Sequence, residues 1–493
     1  MTRIVVDPGR SLGHLDRNVF GGFVEHLGRC IYGGLYDEGS PLADERGFRT
    51  DVLSRLRELR MGVLRYPGGN FVSNYHWADG VGPRDERPAR PELAWGGTET
   101  NRFGTDEFMA YCAELGTEPY LCLNMGTGTL EEALAWVEYC NGSGPTAWAQ
   151  RRRDNGRDEP YRVKYWGLGN EMYGDWQVGA LTAEEYVREA SRWARALRML
   201  DPDIQLVSCG MNGWNDWDRV VIDGLAHLVD LHSLHIYTGS DDYWTNVLQP
   251  HQSERAIDCA RALIRRAAYN RKLARPPRIS YDEWNVWYRT DDGTLEERYS
   301  FSDALAVGTY LNIFVRNCRW VRMANLAQMV NAIAPIVTTR DALALQPIWY
   351  PVLLHSQAAL DVAADVHVAG PAISPLGTDH QSRWPHRVAD LGPFTLVDAA
   401  ATASADRSKL AVTLVNRSPD EPEVTEIAVR DLAFGDAARV RTLTADTSRS
   451  RRVLPDVEGA CLEEGTEKAR GQVLTLTLPP QSFTVIEADT TAT

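Results

Sequence analysis

Short apolar runs alternate with amphipathic helical stretches along the first three quarters of the chain. The eight runs occupy residues 19–26, 63–70, 120–124, 165–171, 204–209, 231–237, 278–283 and 321–330. Continuous apolar runs of this length are typical of parallel strands that are buried on both faces. The pattern therefore predicts eight strands in one parallel sheet.

The stretches between the runs carry apolar residues at the three- and four-residue spacing of a helix with one buried face. Two of these helices begin with a capping box, formed by Thr129 with Glu132 and by Thr182 with Glu185. The predicted helices start near residues 51, 105, 129, 182, 253 and 302, and a closing helix spans residues 347–360.

Eight strand–helix units fit a (β/α)8 TIM barrel, and the periodicity alone also fits an open doubly wound sheet. The polar residues favour the barrel, because they fall where the strands end, and the carboxyl ends of barrel strands form the active-site face. These strand-end residues are Glu25, Asn70, Asn124, Glu171, Tyr237 and Glu283.

The helical pattern stops near residue 365, and alternating strands bounded by Pro, Gly, Asp and Ser follow. Residues 409–415, 439–443 and 472–478 show the alternation. We predict an antiparallel, jelly-roll-like β-sandwich that also takes in the N-terminal strand, which is expected at an edge. The expected domains are a barrel over residues 16–365 and a sandwich formed by residues 1–15 and 366–493.

Charge and composition narrow the possible partners. The 493 residues include 52 basic and 67 acidic side chains, a net charge of -15, which argues against nucleic acid and anionic membranes. The one tight basic run, Arg151, Arg152 and Arg153, is expected in a solvated loop. The eight cysteines are scattered, and neither a signal peptide nor a membrane span is apparent. A cytoplasmic protein without disulfides fits best.

Two predicted strands end on a glutamate, Glu171 and Glu283. Paired carboxylates perform glycoside hydrolysis, one as acid/base and the other as nucleophile or base. The alternative is that each glutamate is a solvated strand end. His232 and His235 also suggest a metal site, but no third ligand stands at a recognisable spacing, so no metal or cofactor is predicted.

Several motifs, in this order along the chain, resemble those of glycoside hydrolase family 51, the intracellular α-L-arabinofuranosidases. They are GGFVEH at 21–26, RYPGGNFVS at 65–73, GNEM at 169–172, DEWN at 282–285, QPIWYP at 346–351 and LPPQSFT at 478–484. The resemblance implies a barrel with a β-sandwich built from both chain ends, retention of anomeric configuration without a metal, and a homo-oligomer, a hexamer in many relatives.

By this resemblance Glu171 is the acid/base and Glu283 the nucleophile. It also implies that the furanose ring is bound by Glu25, Asn70, Asn170, Tyr237 and Gln346, and that Trp95 and Trp287 line the pocket. One departure from the family pattern follows Glu171, where Met172 is succeeded by Tyr-Gly-Asp-Trp instead of Asp-Gly-Pro. That segment is expected beside the leaving group.

Supporting roles follow from charge and hydrogen bonding. Arg65 would keep Glu283 ionised, because a neighbouring cation lowers the pKa of a carboxylate. Tyr237 is expected to hydrogen-bond the nucleophile, and His235 is placed among the supporting residues. Asn170 is expected to donate to a sugar hydroxyl. Gly68 and Gly69 lack the frame of a phosphate-binding loop and are expected to let backbone approach the sugar closely.

The leading hypothesis is a retaining exo-α-L-arabinofuranosidase that releases terminal arabinose from arabinan or arabinoxylan oligosaccharides. The second is a related retaining hydrolase of another furanoside, a β-xyloside or a β-glucan. The third, from a different class, is a carbohydrate-binding protein without catalysis, and the presence of both glutamates argues against it.

Overall fold

The computed structural model describes residues 1–287, 295–373, 390–445 and 460–493. Eight parallel strands form a closed barrel in which each strand pairs with its neighbours in the chain, and the eighth pairs with the first. The predicted barrel is confirmed. Its strands are Gly21–Phe23, Val63–Tyr66, Glu118–Leu123, Tyr165–Leu168, Gln205–Ser208, Leu231–Thr238, Arg278–Val286 and Val321–Ala327.

The helices surround the barrel. The first strand is shorter than predicted because Val19 and Phe20 lie in the 3-10 turn Arg17–Phe20. The α-helices are Thr50–Glu58, Thr105–Leu115, Leu130–Asn141, Ala147–Asp154, Ala183–Leu200, Asp216–Leu225, Tyr243–Leu248, Gln252–Arg271, Phe301–Arg316 and Trp349–Ala358. The remaining 3-10 turns are Asn70–Asn74, Trp77–Gly80, Arg84–Glu86 and Gln249–His251.

Three helices were not predicted, and one of them is the short helix Tyr243–Leu248 after the sixth strand. Asp216–Leu225 follows the fifth strand, and Ala147–Asp154 contains the basic run that was expected in a solvated loop. That expectation was wrong because Arg152 is fully buried and donates from Nη1 to the carbonyl oxygen of Tyr139 at 2.7 Å. Its burial fixes the helix against the preceding one.

Both predicted capping residues start helices. The Thr182 hydroxyl accepts from the backbone N–H of Glu185, and the Glu185 carboxylate accepts from the N–H of Thr182. At the second site Thr129 accepts from the N–H of Glu132. The Glu132 carboxylate instead contacts His76 at 3.0 Å, so only half of that box forms.

Beside the barrel, nine of the described strands form one hydrogen-bonded sheet that folds back on itself. The strands Leu432–Ala445 and Val473–Leu478 are far apart in the order of pairing, yet they contact each other and share one apolar cluster. This is the predicted sandwich. Its other strands are Thr2–His14, Val362–Ala369, Val397–Ala403, Lys409–Asn416, Glu423–Val429, Ala460–Lys468 and Ser482–Ala492.

The N-terminal strand lies inside the sheet and not at its edge as expected. It pairs antiparallel with Val362–Ala369 and parallel with Glu423–Val429, which is the single parallel pairing among the described strands of this sheet. Three two-stranded ribbons complete the described strands: Arg90–Pro91 with Thr98–Glu99, Ile336–Thr338 with Leu343–Leu345, and Ala372–Ile373 with Phe394–Thr395.

One face of the sandwich packs on the barrel. Val415, Phe483 and Val485 share an apolar cluster with Leu305 and Leu354 of the last two helices. The expected domain division at residues 365 and 366 falls inside the strand Val362–Ala369 and stays a prediction. All eight cysteines are free thiols, and no described helix is long and apolar enough to cross a membrane.

Candidate active site

A cavity of about 380 Å³ opens at the carboxyl ends of the barrel strands. It lies above an apolar layer inside the barrel to which most of the strands contribute a side chain. Eight of the residues that the sequence analysis selected line this cavity: Glu25, Asn70, Trp95, Glu171, His235, Tyr237, Glu283 and Trp287. The structure therefore collects side chains from six segments of the chain at one place.

Glu171 and Glu283 face each other across the cavity. A carboxylate oxygen of each and a ring nitrogen of His235 all lie within 4.8 Å of one another. Glu171 stands three residues beyond the fourth strand with a positive φ of 46°, which turns the chain sharply at that point. Few non-glycine residues adopt this conformation, and such residues cluster at functional sites.

Glu283 lies within the seventh strand at an irregularity. The pairing register with the sixth strand shifts between Ser280 and Glu283, which marks a β-bulge. A regular strand would send Asp282 and Glu283 to opposite faces, whereas a bulge re-aims side chains locally. Both carboxylates are thereby buried inside the barrel, with exposures of 1% and 5%.

Both oxygens of Glu283 accept hydrogen bonds. Arg65 donates from Nη1 to Oε1 at 2.7 Å, and the Tyr237 hydroxyl donates to Oε2 at 2.9 Å. Glu171 accepts from the Tyr173 hydroxyl at 3.2 Å and from Nδ1 of His235 at 2.9 Å, and both bonds reach Oε1. No hydrogen bond from the described residues reaches Oε2 of Glu171.

The two carboxylates titrate as a pair. Burial raises the pKa of Glu283, and the negative charge of Glu171 raises it further, whereas the positive charges of His235 and Arg65 lower it. Burial also acts on Glu171, but the hydrogen bond and charge of His235 leave its pKa below the ordinary value. These directions alone favour a proton on Glu283. The hydrogen bonds decide otherwise, because both Glu283 oxygens are occupied by donors while Oε2 of Glu171 has room for the proton.

Glu25 sits on the opposite wall of the cavity. Its Oε1 accepts from the backbone N–H of Phe71 at 3.0 Å and from the Trp95 indole at 2.9 Å, and its Oε2 accepts from Gln328 at 2.9 Å. Burial raises the pKa of Glu25 to about 7, with a smaller contribution from the charge of Glu283. A side chain on Gly69 would place its Cβ 2.2 Å from a Glu25 oxygen, so the glycine leaves room for this carboxylate.

Two asparagines present amide groups near the carboxylates. Asn170 accepts at Oδ1 from Nη2 of Arg65 at 2.6 Å, and its buried Nδ2 has no hydrogen-bond partner among the described residues. Asn70 accepts from Gln177 at 2.5 Å. Asn170 and Arg65 lie directly under the cavity floor with Asp282. A buried amide N–H without a partner is costly, which suits a group that a ligand will satisfy.

Comparison with known proteins places this geometry in a family. Two family models match, the α-L-arabinofuranosidase 1 domain over residues 55–255 and the α-L-arabinofuranosidase C-terminal domain over residues 282–482. The solved family 51 α-L-arabinofuranosidase of Thermotoga petrophila superposes with a TM-score of 0.91 at 41% identity, covering 99% of this chain and 100% of that one. The curated α-L-arabinofuranosidase C of Emericella nidulans is 49% identical over 421 residues, which is 82% of each chain. The chain belongs to glycoside hydrolase family 51.

A bacterial relative extends this comparison. The intracellular exo-α-(1→5)-L-arabinofuranosidase 1 of Bacillus subtilis is 39% identical to the chain over 452 residues, 87% of each. Family 51 membership makes the protein a glycoside hydrolase and agrees with the fold that the motifs implied. The roles of individual residues rest on the geometry described here.

Gln346 does not line the cavity. Its Nε2 donates to the carbonyls of Glu297 and Ala334, and its Oε1 accepts from the backbone N–H of Tyr299. These backbone groups use both N–H donors of the amide and one lone pair of its oxygen, and the expectation that Gln346 binds the sugar ring stays a prediction. Gln346 ties two loops together, and each of these loops contributes a residue to the cavity wall, Leu295 and Ile333.

Trp287 lies at the cavity wall with its ring edge-on to Tyr237, centroids 5.4 Å apart. Its buried Nε1 has no hydrogen-bond partner among the described residues. On the Glu171 side the wall includes Trp176, whose side chain is 48% exposed. Gly174 lies under this indole, because a Cβ there would stand 2.4 Å from Trp176 Cε2.

The group of Glu171, His235 and Glu283 has the composition of a metal site, yet its donors are already engaged. His235 contacts Glu171 through Nδ1 and Asp282 through Nε2. The Arg65 guanidinium lies 2.7 Å from Glu283, so a divalent cation at this carboxylate would meet a fixed positive charge. His232 contacts Asp218 at 2.9 Å and takes no part in the cavity wall.

The sequence analysis missed Asp282, Tyr173 and Gln328. Asp282 was overlooked although it precedes Glu283 in the same motif, because neighbours in a regular strand face opposite sides. Gln328 follows the eighth strand, where its side chain reaches Glu25. The signal for Tyr173 was its position in the segment that departs from the family pattern.

Proposed function

We propose that the protein is a retaining exo-α-L-arabinofuranosidase that removes terminal arabinofuranosyl residues from arabinan and arabinoxylan oligosaccharides. The spacing of Glu171 and Glu283 carries the proposal. Retaining glycosidases hold their carboxyl groups about 5–5.5 Å apart, whereas inverting enzymes need roughly 6.5–9.5 Å to admit a water. Oxygens within 4.8 Å support the retaining arrangement.

In the first step Glu283 attacks the anomeric carbon. A bond forms between a Glu283 oxygen and this carbon, the bond to the leaving oxygen breaks, and the proton on Glu171 passes to that oxygen. Arg65 and Tyr237 hold the nucleophile in one orientation through its two oxygens. Such preorganisation keeps the attacking atom at reaction distance.

In the second step Glu171 is the base. It takes a proton from water, the water oxygen bonds to the anomeric carbon, and the ester bond to Glu283 breaks. Two inversions at one carbon leave arabinose with the configuration of the substrate. The chemistry requires only side chains of this chain.

The glycone is held on the side of Glu25. Its carboxylate is available to sugar hydroxyls, Trp95 fixes its orientation through the indole N–H, and Asn70 lies beside it in the wall. Asn170 donates from its unpaired Nδ2 to the hydroxyl next to the reacting carbon. Trp287 covers the opposite side of the ring. The leaving group lies beside Glu171, along Tyr173 and Trp176.

The cellular setting is also a proposal. The relative from Bacillus subtilis is described as intracellular, and the acidic chain with eight free thiols fits a cytoplasmic enzyme acting on imported oligosaccharides. We further propose a homo-oligomer, with the hexamer of many relatives as the expected assembly. Sedimentation equilibrium of the purified protein tests this.

A panel of nitrophenyl glycosides tests the activity. The α-L-arabinofuranoside should be cleaved at least about a hundredfold faster than the β-D-xylopyranoside, the β-D-galactofuranoside and a β-glucan oligomer. Proton NMR at early times should show the α-anomer of arabinose first, before mutarotation. Preference for another glycoside would contradict the proposed substrate. Release of the β-anomer first would contradict the retaining mechanism. No turnover of any glycoside would favour a carbohydrate-binding protein.

A further inference from the structure

Asp282 is a buried carboxylate to which the proposed mechanism gives no part. It is 1% exposed and lies directly before Glu283 in the bulged strand. The Tyr120 hydroxyl donates to its Oδ2 at 2.7 Å, and Nε2 of His235 lies 3.1 Å from its Oδ1. The guanidinium of Arg65 approaches Oδ2 at 4.0 Å. A buried carboxylate with these contacts is placed to act on its neighbours electrostatically.

His235 connects Asp282 with Glu171. Its Nδ1 lies 2.9 Å from Oε1 of Glu171 and its Nε2 3.1 Å from Oδ1 of Asp282. The ionised Asp282 carboxylate only accepts hydrogen bonds, and Oε1 of Glu171 is also an acceptor when the proton lies on Oε2, so the ring donates from both nitrogens. A histidine with two N–H groups is an imidazolium cation. The same Nδ1 is also 3.5 Å from Oε2 of Glu283.

We propose that Asp282 is a positioning residue that holds His235 as an imidazolium, whose Nδ1–H stabilises the Glu171 carboxylate formed when the acid gives up its proton. This inference rests on the proposed function, because it assigns the acid to Glu171. It also explains why the donors to Glu171 meet at Oε1, since Oε2 then carries the proton that reaches the leaving oxygen.

A positively charged His235 keeps the net charge of the groups around Glu171 and Glu283 at zero through the first step. Before reaction Arg65 and His235 are cations, Asp282 and Glu283 are anions, and Glu171 is protonated. In the covalent intermediate Glu283 is an uncharged ester and Glu171 has become the anion. These five groups together carry two positive and two negative charges in both states. A buried site that stays neutral avoids the desolvation cost of a net charge in either step.

The groups that face His235 determine its titration. Burial lowers the pKa of the ring, but the charge of Glu283 and the hydrogen bonds of Asp282 and Glu171 raise it to about 10. Four further titratable groups contact these carboxylates: Arg65, Tyr120, Tyr173 and Tyr237. Arg65 is a fixed cation that opposes protonation, and the pKa of Tyr237 is raised far enough by burial that the phenol stays neutral. Asp282 itself remains an anion, because Arg65 and His235 outweigh its burial and lower its pKa.

The decisive variant is Asp282→Asn, which removes the charge and keeps the shape. Without this anion His235 becomes neutral, so Glu171 no longer has a cation 2.9 Å away, its pKa rises, and the alkaline limb of the kcat/KM profile should move to higher pH by about one unit. The Glu171 carboxylate loses its cationic partner, so proton donation suffers most with poor leaving groups. We expect kcat/KM to fall about 100- to 1,000-fold for α-(1→5)-arabinobiose and less than tenfold for the dinitrophenyl arabinofuranoside.

Asp218→Asn is the matched control. Asp218 is the partner of His232, a second buried histidine–aspartate pair at 2.9 Å whose histidine lies in the same barrel strand as His235. His232 contacts neither Glu171 nor Glu283. This variant should lower the thermal stability, because Asp218 also accepts from three backbone N–H groups, but it should leave both pH limbs in place.

Three outcomes separate the possibilities. A folded Asp282→Asn enzyme with an unmoved alkaline limb and an equal loss on both substrates overturns the inference and leaves the proposed function intact. Failure of the wild-type enzyme to cleave arabinofuranosides overturns the proposed function instead. Should the variant not fold, nitrogen NMR of histidine-labelled wild-type enzyme decides. The signal that His235→Gln removes should show both ring nitrogens protonated at pH 7.5, and a neutral ring contradicts the inference.

Discussion

Arg65 joins Glu283 to Asn170, the residue beside Glu171. Its Nη1 donates to Oε1 of Glu283 at 2.7 Å, while its Nη2 donates to Oδ1 of Asn170 at 2.6 Å. The rigid fork of the guanidinium therefore fixes two strand ends relative to each other. Because Oδ1 of Asn170 is occupied, its Nδ2 is left to donate to a ligand, and Glu283 keeps one orientation.

Replacing Glu283 by alanine should abolish turnover of every substrate. No covalent glycosyl-enzyme can form without this carboxylate, so kcat should fall by at least about 10,000-fold. Azide fits the space left by the side chain and should restore part of the activity, giving the inverted glycosyl azide. The product configuration is read by NMR. Wild-type rates in Glu283→Ala without azide would remove Glu283 from the nucleophile role.

Chelators and reducing agents should leave the activity unchanged. Among the described residues the one cluster with metal-ligand composition contains the catalytic pair, and Arg65 and His235 already engage it. The eight cysteines are free thiols in the described structure. The assay compares rates after dialysis against EDTA and against dithiothreitol. A large loss that a divalent metal reverses would contradict this prediction.

Gly69→Ala should weaken binding of the glycone. The new Cβ would lie 2.2 Å from a Glu25 oxygen, so the carboxylate must leave its bonds to Phe71, Trp95 and Gln328. We expect KM to rise by about tenfold or more, because a buried charged hydrogen bond contributes roughly 1.5–3 kcal/mol. Gly465→Ala is the control, since its Cβ meets open space in the sandwich. Equal kinetics for the two variants would show that Glu25 does not hold the ring.

The sequence predicted the barrel because strands that are buried on both faces read as continuous apolar runs, and each of the eight runs overlaps one barrel strand. It placed the N-terminal strand at an edge because residues 1–15 alone do not reveal which strands pair with them. Five strands of the sandwich were missed: Val362–Ala369, Val397–Ala403, Glu423–Val429, Ala460–Lys468 and Ser482–Ala492. In Glu423–Val429, for example, Glu423 and Thr425 are buried while Val424 is 44% exposed, so the hydropathy of the residues does not follow their burial.

The meeting of Glu171 and Glu283 in one cavity was predictable because each glutamate ends an apolar run in a recognisable motif. The network under the pair was not, since it depends on a bulge that turns Asp282 and Glu283 to the same face. For Gln346 the motif gave the position in the chain but not the contacts of the side chain. Only the structure shows that three backbone groups use its amide.

Asp398→Ala should destabilise the barrel and the sandwich together. Asp398 lies in the sandwich and accepts from Arg316 and Asn312 of a barrel helix at 3.0 and 2.8 Å, with Arg417 at 3.6 Å. Removing it takes away the ion-pair partner of the buried Arg417, while Arg316 keeps Glu254 at 3.0 Å, and the loss should be about 3–5 kcal/mol. Urea unfolding followed by fluorescence measures the loss. The control is Glu464→Ala, an exposed partner of Arg439 at 2.9 Å, which should change the stability little.

The same residue gives a pH dependence. The charges of Arg316 and Arg417 outweigh burial and lower the pKa of Asp398 below its unfolded value. The carboxylate therefore contributes stability above the unfolded pKa, near 4, and this contribution is lost as the pH falls through the folded value. Wild type should lose more stability than Asp398→Ala on acidification from pH 5 to pH 3. Parallel curves for the two proteins would contradict the assignment.

Glu171→Ala should affect substrates according to their leaving groups. An acid matters most when the departing oxygen is a poor leaving group, and a dinitrophenolate needs little help. The variant should therefore lose glycosylation of natural oligosaccharides far more than glycosylation by dinitrophenyl arabinofuranoside. With the activated substrate, hydrolysis of the covalent intermediate becomes slow, because Glu171 also activates water.

Two measurements on the Glu171→Ala enzyme check this. Mass spectrometry of the intact protein during turnover of the dinitrophenyl substrate should show an added arabinosyl group, and peptide mapping should place it on Glu283. Azide needs no general base, so it should accelerate breakdown of the intermediate and give the azide of retained configuration. An equal loss on all substrates, with no response to azide, would make Glu171 a structural or binding residue. The acid would then have to be sought at Glu25, whose buried carboxyl has a pKa raised to about 7.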